Sequence, residues 1–206
     1  DQYDVVAERR AKSLAFSMRQ TKAHVAANVY NRAFNTSYLG GDGSALIVSS
    51  HANVAGGTQS NVLTNAANIS EAALEQACID IARFKNDRGL VIQVMPHSII
   101  IPPELMFEIE RILKSQYRVG TANNDINALV SMGKFPGGVK VNHYLSSTTA
   151  WFIRTNCPDG MKYFERKGDE FSEDNDFDTE NAKFKATARY SYLWTDYRAV
   201  YGTPGV

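Results

Sequence analysis

The sequence lacks the features that mark several large classes of protein. Only two of its 206 residues are cysteine, Cys78 and Cys157, too few for a disulfide framework. A reducing compartment suits this content better than an oxidising one. No apolar run approaches the ~20 residues that span a bilayer, and no signal peptide opens the chain. We therefore expect neither a disulfide-rich secreted domain nor a membrane-spanning protein.

Net charge is missing as well. The 22 Lys and Arg residues balance the 22 Asp and Glu residues, which gives a formal net charge of zero. Long-range attraction to nucleic acid or to an anionic membrane is therefore not expected to dominate. Apolar residues are plentiful: at 44% of the chain, they can fill the core of one large domain or two small lobes.

The N-terminal part of the chain predicts one long helix. Apolar residues recur at helical spacing from Asp4 to Phe34, and no Gly or Pro interrupts them. Such a helix is roughly 45 Å long at 1.5 Å per residue. This is more than a compact 200-residue protein needs, so we expect a strut across an elongated molecule. The apolar stripe lacks clean heptads, which disfavours a coiled coil.

The middle of the chain predicts a mixed α/β lobe. Two apolar runs, Leu90–Val94 and Ser98–Ile101, are expected to be neighbouring buried strands, with the helix after Pro103 packed on them through Ile109. Two further helices complete this lobe: one begins at Ser70 and ends at the turn 86–89, and a short one is capped by Asn124 or Asp125 and ends at Gly133.

The C-terminal part predicts strands. Short strands are expected within 139–144, 150–155 and 161–167, separated by turn sequences. A longer strand runs from Phe184 to Trp194, where apolar and polar residues alternate. Its polar face carries Lys185, Thr187 and Arg189. These side chains are expected to be solvated, although basic groups there could also face nucleic acid.

The Gly-rich stretch from Gly40 to Leu63 admits three interpretations. A phosphate-binding loop is disfavoured because the stretch follows a helix and lacks a Gly-Lys-Ser/Thr ending. A catalytic Ser50–His51 pair is disfavoured because adjacent residues of an extended segment point in opposite directions. The third interpretation, a long connection rich in turn residues, is preferred.

Metal chemistry is not indicated either. Asp174, Asp176 and Asp178 alternate as in the start of a calcium loop, but Thr179 replaces the turn glycine and Lys185 the bidentate glutamate. The four histidines show no ligand spacing. We therefore predict no catalytic, cofactor-binding or metal-binding residue, and no enzymatic activity.

Several stretches together resemble the major capsid proteins of tailed bacteriophages, which have the HK-ninety-seven-like fold. They are Asn31–His51, Ser98–Ser115, Asn124–Leu129 and Cys157–Gly202, and the resemblance extends from the first helix to Gly202. It implies an α+β fold with a long spine helix, a peripheral lobe with a long-stranded antiparallel sheet, and a mixed α/β axial lobe. Residues 1–69 would form the spine helix and connecting loop, 70–143 the axial lobe, and 144–206 the strands that return to close the peripheral sheet.

The same resemblance implies a function. The chain would be a structural subunit that assembles with itself, as hexamers and pentamers, into an icosahedral head around phage DNA. Scaffold and portal proteins would be partners, and DNA would be contacted weakly and without sequence specificity. No cofactor and no membrane are implied. The location would be the virion, and the host cytoplasm during assembly.

Two departures and two alternatives accompany this resemblance. Family members carry an N-terminal arm and an extended loop before the spine helix, whereas this chain starts at Asp1 with the helix almost at once, so we expect residues upstream. No Lys–Asn pair for covalent crosslinking could be matched. An encapsulin-type shell, which shares the fold but packages proteins, is the first alternative, although the stretches around 40–51 and 176–190 are more phage-like. A soluble hydrolase using Ser50 or His51 is the second.

Overall fold

The computed structural model describes residues 2–118, 125–175, 178 and 181–206, without the side chains of residues 2–4 and 175. Its helices are α1 (Gln2–Asn31), α2 (Glu71–Ala82), α3 (Met106–Lys114) and α4 (Ala128–Ser131). Its strands are β1 (His51–Ala52), β2 (Thr58–Gln59), β3 (Pro96–Ile101), β4 (Val139–Val141), β5 (Trp151–Thr155), β6 (Met161–Asn175), β7 (Ala182–Trp194) and β8 (Val200–Thr203). Single 3₁₀ turns precede α3 and β8.

The long first helix is confirmed, with shifted ends. It runs unbroken over 30 residues, from Gln2 to Asn31 rather than from Asp4 to Phe34. Only its C-terminal end is buried, at Ala27 and Val29, and the chain just beyond it is buried at Ala33. Its N-terminal half leaves apolar side chains exposed. The helix is therefore anchored at one end and projects at the other.

A four-stranded mixed sheet forms the centre of the protein. The strand order is β4-β3-β5-β8, with β3 parallel to β4 and antiparallel to β5. One face, which includes Ile99 and Ile153, packs against α2 and α3 in the larger core cluster. The opposite face, which includes Ile100 and Phe152, packs against the end of α1 and the connection that follows it. The alternation of side chains along β3 thus separates two cores.

The expected strand at Leu90–Val94 is wrong. Leu90 and Val91 are 64% and 66% exposed, and this segment makes only an isolated bridge from Val91 to Lys85. Asn86 explains the difference, because its backbone N–H donates to the Leu90 carbonyl and its side chain accepts from the Leu90 N–H. The turn folds the segment back on its own chain, and β4 and β5 occupy both sides of β3.

The helices of the middle region are confirmed, with corrected ends. Ser70 caps α2 by accepting from the Ala73 N–H, as expected, but the helix stops at Ala82, before the turn. Ile109 in α3 is only 1% exposed, so its predicted burial is confirmed. The cap of α4 is Asn127 rather than Asp125, because its side chain accepts from the N–H groups of the first turn. The other expected cap, Asn124, lies outside the described residues.

A separate two-stranded ribbon is formed by β6 and β7. Its register runs from Met161 opposite Trp194 to Asn175 opposite Ala182, with irregularities between Glu165 and Glu170. The predicted strand at Phe184–Trp194 is thus confirmed and slightly extended. Strand β5, which we expected in the same sheet as this ribbon, pairs with β3 and with β8 instead. The long antiparallel element therefore has two strands among the described residues, and its neighbour is α1.

Candidate functional site

The Gly-rich connection contains a buried histidine. His51 is fully buried, and its Nδ1 lies 2.6 Å from Asp42 Oδ2. Its Nε2 lies 3.1 Å from Asn61 Oδ1. The imidazole ring stacks on Tyr197 at 3.7 Å between centroids, and the Arg198 guanidinium lies 4.6 Å from the centre of the same tyrosine ring. The sequence did not reveal this cluster, because its members have no motif spacing.

Asn61 ties this cluster to three parts of the chain. Its Oδ1 accepts from the Val48 N–H, and its Nδ2 lies within 3.2 Å of the carbonyl oxygens of Leu46, Tyr197 and Val200. The amide orientation is fixed, since oxygen faces a donor and nitrogen faces acceptors. The connection is therefore fastened to the end of the chain by a polar side chain rather than lying loosely on the surface.

This geometry does not support a Ser–His catalytic pair. Ser50 is exposed, whereas the His51 ring is buried with both nitrogens facing the oxygens of Asp42 and Asn61. A general base needs one nitrogen within hydrogen-bond reach of the nucleophile. The arrangement of the three residues instead serves packing, because it satisfies polar groups in a buried position.

Arg198 forms a second polar anchor beside the first. It is only 6% exposed, and its guanidinium contacts Asp87 at 2.7 Å and Asp196 at 3.1 Å. Its Nε also donates to the Lys85 carbonyl at 2.7 Å. A buried cation paired on two sides is costly to disrupt. The pair of anchors fixes the 3₁₀ turn that precedes β8.

An open apolar groove lies between the N-terminal half of α1 and the far part of the ribbon. Its volume is about 470 Å³. The helix contributes Ala11, Leu14 and Ala15, and the ribbon contributes Phe171 and Phe184. Phe171 is 55% exposed, and Phe184 is 37% exposed. Large apolar side chains left open to solvent in one region mark a surface for association.

Lys22 links the helix to the ribbon through two carboxylates of β6, Asp169 and, at 4.0 Å, Glu165. Lys22 in α1 donates to Asp169 in β6 at 2.6 Å, and its ammonium lies 5.3 Å from the centre of the Tyr190 ring. The bond to Asp169 raises the pKa of Lys22, so the lysine stays charged. The helix and the ribbon therefore form one structural unit, although much of their apolar surface stays uncovered.

The remaining candidates from the sequence do not come together. Within the described parts of the chain, no group of three or more His, Cys, Asp or Glu side chains could hold a metal ion. Asp176 and Thr179 lie outside those parts. Cys78 and Cys157 are free thiols. The described helices include none that is long and apolar enough to cross a membrane.

The polar residues of β7 are largely open to solvent. Lys185 and Arg189 are exposed, and Thr187 is half-buried. In the register of the ribbon, Arg189 lies opposite Lys167 and Lys185 lies opposite Ser172. The sequence-based prediction that these side chains are solvated agrees with their exposure. That they have no catalytic role stays a prediction.

The chain is similar to several known structures at low sequence identity. A phage-related protein from Bordetella bronchiseptica RB50 is 10% identical, with a TM-score of 0.50 over 95% of this chain and 63% of that one. The capsid of an empty GTA particle is 14% identical, with a TM-score of 0.49 over 93% and 65%. A structure from Mycobacterium phage Che8 is 14% identical, with a TM-score of 0.44 over 70% and 54%. The chain thus spans less than two thirds of each of them.

The likeness to the Bordetella protein shows the fold alone. No curated protein matches the chain. The family is shown instead by a family model for the phage capsid protein, which matches residues 1–203. Since that match covers nearly the whole sequence, the chain belongs to the phage capsid protein family.

Proposed function

We propose that this chain is the shell-forming part of a major capsid protein that assembles with copies of itself into an icosahedral phage head. The observation that carries the proposal is the family match over residues 1–203. In this proposal the chain has no catalytic role and acts in the virion, after assembly in the host cytoplasm. Scaffold and portal proteins and packaged DNA are its proposed partners.

The proposed contact between copies is the surface formed by α1 and the ribbon. A two-stranded ribbon is marginal by itself, and the outer edges of β6 and β7 have no strand partner among the described residues. Such edges present backbone groups that another chain can pair with. The adjacent groove adds uncovered apolar side chains, whose burial stabilises at roughly 25 cal/mol per Å². A second copy of the subunit is the proposed occupant, because a capsid is built from repeated copies.

The three-part division of the chain is retained as part of this proposal. Residues 1–69 would supply the spine helix and connection, 70–143 the axial lobe, and 144–206 the returning strands. Because β5 pairs with β3 and β8 pairs with β5, the third part would contribute to the central sheet as well as to the ribbon.

A paired substitution tests the proposed contact. Phe171→Asp places a charge in the groove, and we expect the full-length protein to lose its assembled fraction in sedimentation-velocity measurements. Ser191→Asp adds the same charge to an exposed position of the same ribbon, on the face opposite to the one that carries Phe171, and should leave assembly unchanged.

Thermal melting of unassembled Phe171→Asp subunits separates lost assembly from lost folding. An unchanged melting temperature together with lost shells supports the contact. If Phe171→Asp assembles like the wild type, this surface is not the contact between copies. The contents of the wild-type shells separate a phage head, which holds DNA, from an encapsulin-type compartment, which holds protein.

A further inference from the structure

A second cleft lies between the C-terminal half of α1 and the β3–β4 side of the central sheet. Its volume is about 590 Å³, and α1 lines it with two alanines and Tyr30. The register pairs Ile100 with Lys140 and Ser98 with Arg154, so these side chains share the sheet face that looks toward α1. Toward β8 this face is apolar and packed, and in the cleft it becomes polar.

The charges that line this cleft have one sign. Its charged or chargeable nitrogen groups are His97, Lys140, His143 and Arg154, and no carboxylate of the described residues lines it. The whole chain has equal numbers of acidic and basic residues, so an even distribution would place carboxylates beside these cations. Neither Lys140 nor Arg154 has an ion pair or hydrogen bond with the described residues.

The neutral polar groups of the cleft are also available as donors. Ser98 is only 5% exposed, and its hydroxyl has no hydrogen-bond partner among the residues that the structure describes. Burial raises the pKa of Tyr30, against the opposing charge of Arg154, so its phenol keeps its proton. The Asn142 side-chain oxygen already accepts from the Tyr144 N–H, which leaves the amide N–H groups of Asn142 to donate.

We propose that this cleft binds phosphate groups of a nucleic-acid backbone. Donors and cations without a competing carboxylate select an anion, and a guanidinium matches the oxygens of a phosphate in a bidentate way. The Ser98 hydroxyl can donate to the same anion. The cleft is also open and lined by more donors than one phosphate needs, which fits a stretch of backbone.

The claim that the phosphate belongs to nucleic acid rests on the proposed function. The claim that the cleft binds an anion does not. Contacts of this kind carry no base information, so binding is independent of sequence. With a net charge of zero, it is also weak and strongly dependent on salt.

Fluorescence anisotropy with a labelled DNA duplex tests the proposal on unassembled subunits. The cleft variant combines Lys140→Gln and Arg154→Gln. The control variant combines Lys185→Gln and Arg189→Gln, which lie on β7 of the ribbon. Each pair removes the same charge. The cleft variant should lower the slope of log K against log salt by about 1 for each residue, and the control should keep the wild-type slope. An unchanged slope in the cleft variant, or an equal loss in the control, overturns the proposal.

Nuclear magnetic resonance of the histidine rings separates the two sources of phosphate. Inorganic phosphate and DNA should both shift the ring signals of His97 and His143 in the wild type, and neither should do so in the cleft variant. If only inorganic phosphate shifts them, the nucleic-acid part is wrong, and if neither does, the anion site is wrong.

Shell assembly distinguishes this proposal from the proposed function. If the cleft variant binds DNA like the wild type but fails to form shells, the cleft instead holds carboxylates of a neighbouring copy, and the proposal is overturned. If the wild type itself forms no shells, the proposed function fails, while a DNA-binding loss confined to the cleft variant still supports the site.

Discussion

At the scale of single residues, the polar side chains of the connection after α1 hold it against the C-terminal part of the chain. Asn61 bridges the connection to the last strand, and His51 lies between Asn61 and Asp42 with its ring on Tyr197. Gly40 also contributes, since a Cβ there would lie 2.7 Å from the Trp194 indole nitrogen. The small residue allows the start of the connection to lie against the end of the ribbon.

Removing the Asn61 side chain should destabilise the subunit. Asn61→Ala leaves the Val48 N–H and the Leu46 carbonyl oxygen without the hydrogen bonds that this side chain makes, and we expect the free energy of unfolding to fall by about 2–4 kcal/mol. Urea denaturation of unassembled subunits measures this change. Asn65→Ala, at an exposed position nearby, is the control and should have little effect. Equal stability of the two variants would contradict the role given to Asn61.

The two thiols should react slowly in the folded protein. Burial, and next the Asp196 carboxylate, raises the pKa of the Cys157 thiol to about 11 from an ordinary value of 9.0. Burial likewise raises the pKa of Cys78 to about 11. The thiolate is the nucleophile, and a pKa two units higher makes it about a hundredfold scarcer at pH 8.

Alkylation by iodoacetamide at pH 8, followed by mass spectrometry, measures this effect. Both cysteines should react about a hundredfold more slowly in the native than in the urea-unfolded subunit. Since a raised pKa keeps the thiol protonated, the native rate should rise with pH until about 11. Native and unfolded rates that agree at pH 8 would contradict this account of their surroundings.

At the scale of elements, α3 packs against the larger core with one face and leaves the other face in solvent. Ile109 is 1% exposed and belongs to the cluster that contains Ile99 and Ile153 of the sheet. Phe107, on the same helix, is 65% exposed. The two residues therefore allow a buried and an exposed side chain of the same helix to be compared.

Ile109→Ala should lower the free energy of unfolding by about 2–5 kcal/mol, because it removes buried methyl groups and leaves a cavity. Phe107→Ala should change it by no more than about 0.5 kcal/mol, because the ring is in solvent. Chemical denaturation of both variants measures the difference. Similar losses in the two would show that α3 is not packed as described.

Elements with a strong local pattern were predictable from the sequence. Helical spacing predicted α1 and α3, and alternation predicted β7, because these patterns reflect which side of each element is buried. The segment Leu90–Val94 was not predictable, since an apolar run does not say whether it pairs with a sheet or folds back on its own turn. Strand partners were also hidden, as the pairing of β5 with β3 depends on the tertiary fold.

The surroundings of the polar clusters were beyond sequence reasoning for a similar reason. Asp42, His51 and Asn61 are separated by connections whose path only the fold determines. The cationic cleft joins Lys140 and Arg154 from different strands, and nothing in their spacing indicates a shared face. What the sequence did reveal was the family, through long stretches in a fixed order.

At the scale of the whole molecule, the protein combines a packed centre with a projecting unit of helix and ribbon. The central sheet buries side chains on both faces, whereas the free half of α1 and the far part of the ribbon leave aromatic residues exposed. Such a division suits a subunit that completes its packing only beside its neighbours.

Electron cryo-microscopy of the purified full-length protein tests this account most directly. We expect closed shells with icosahedral symmetry, in which α1 and the ribbon of each subunit are covered by neighbouring copies. A protein that stays monomeric under all assembly conditions, or shells in which that surface remains in solvent, would contradict the account.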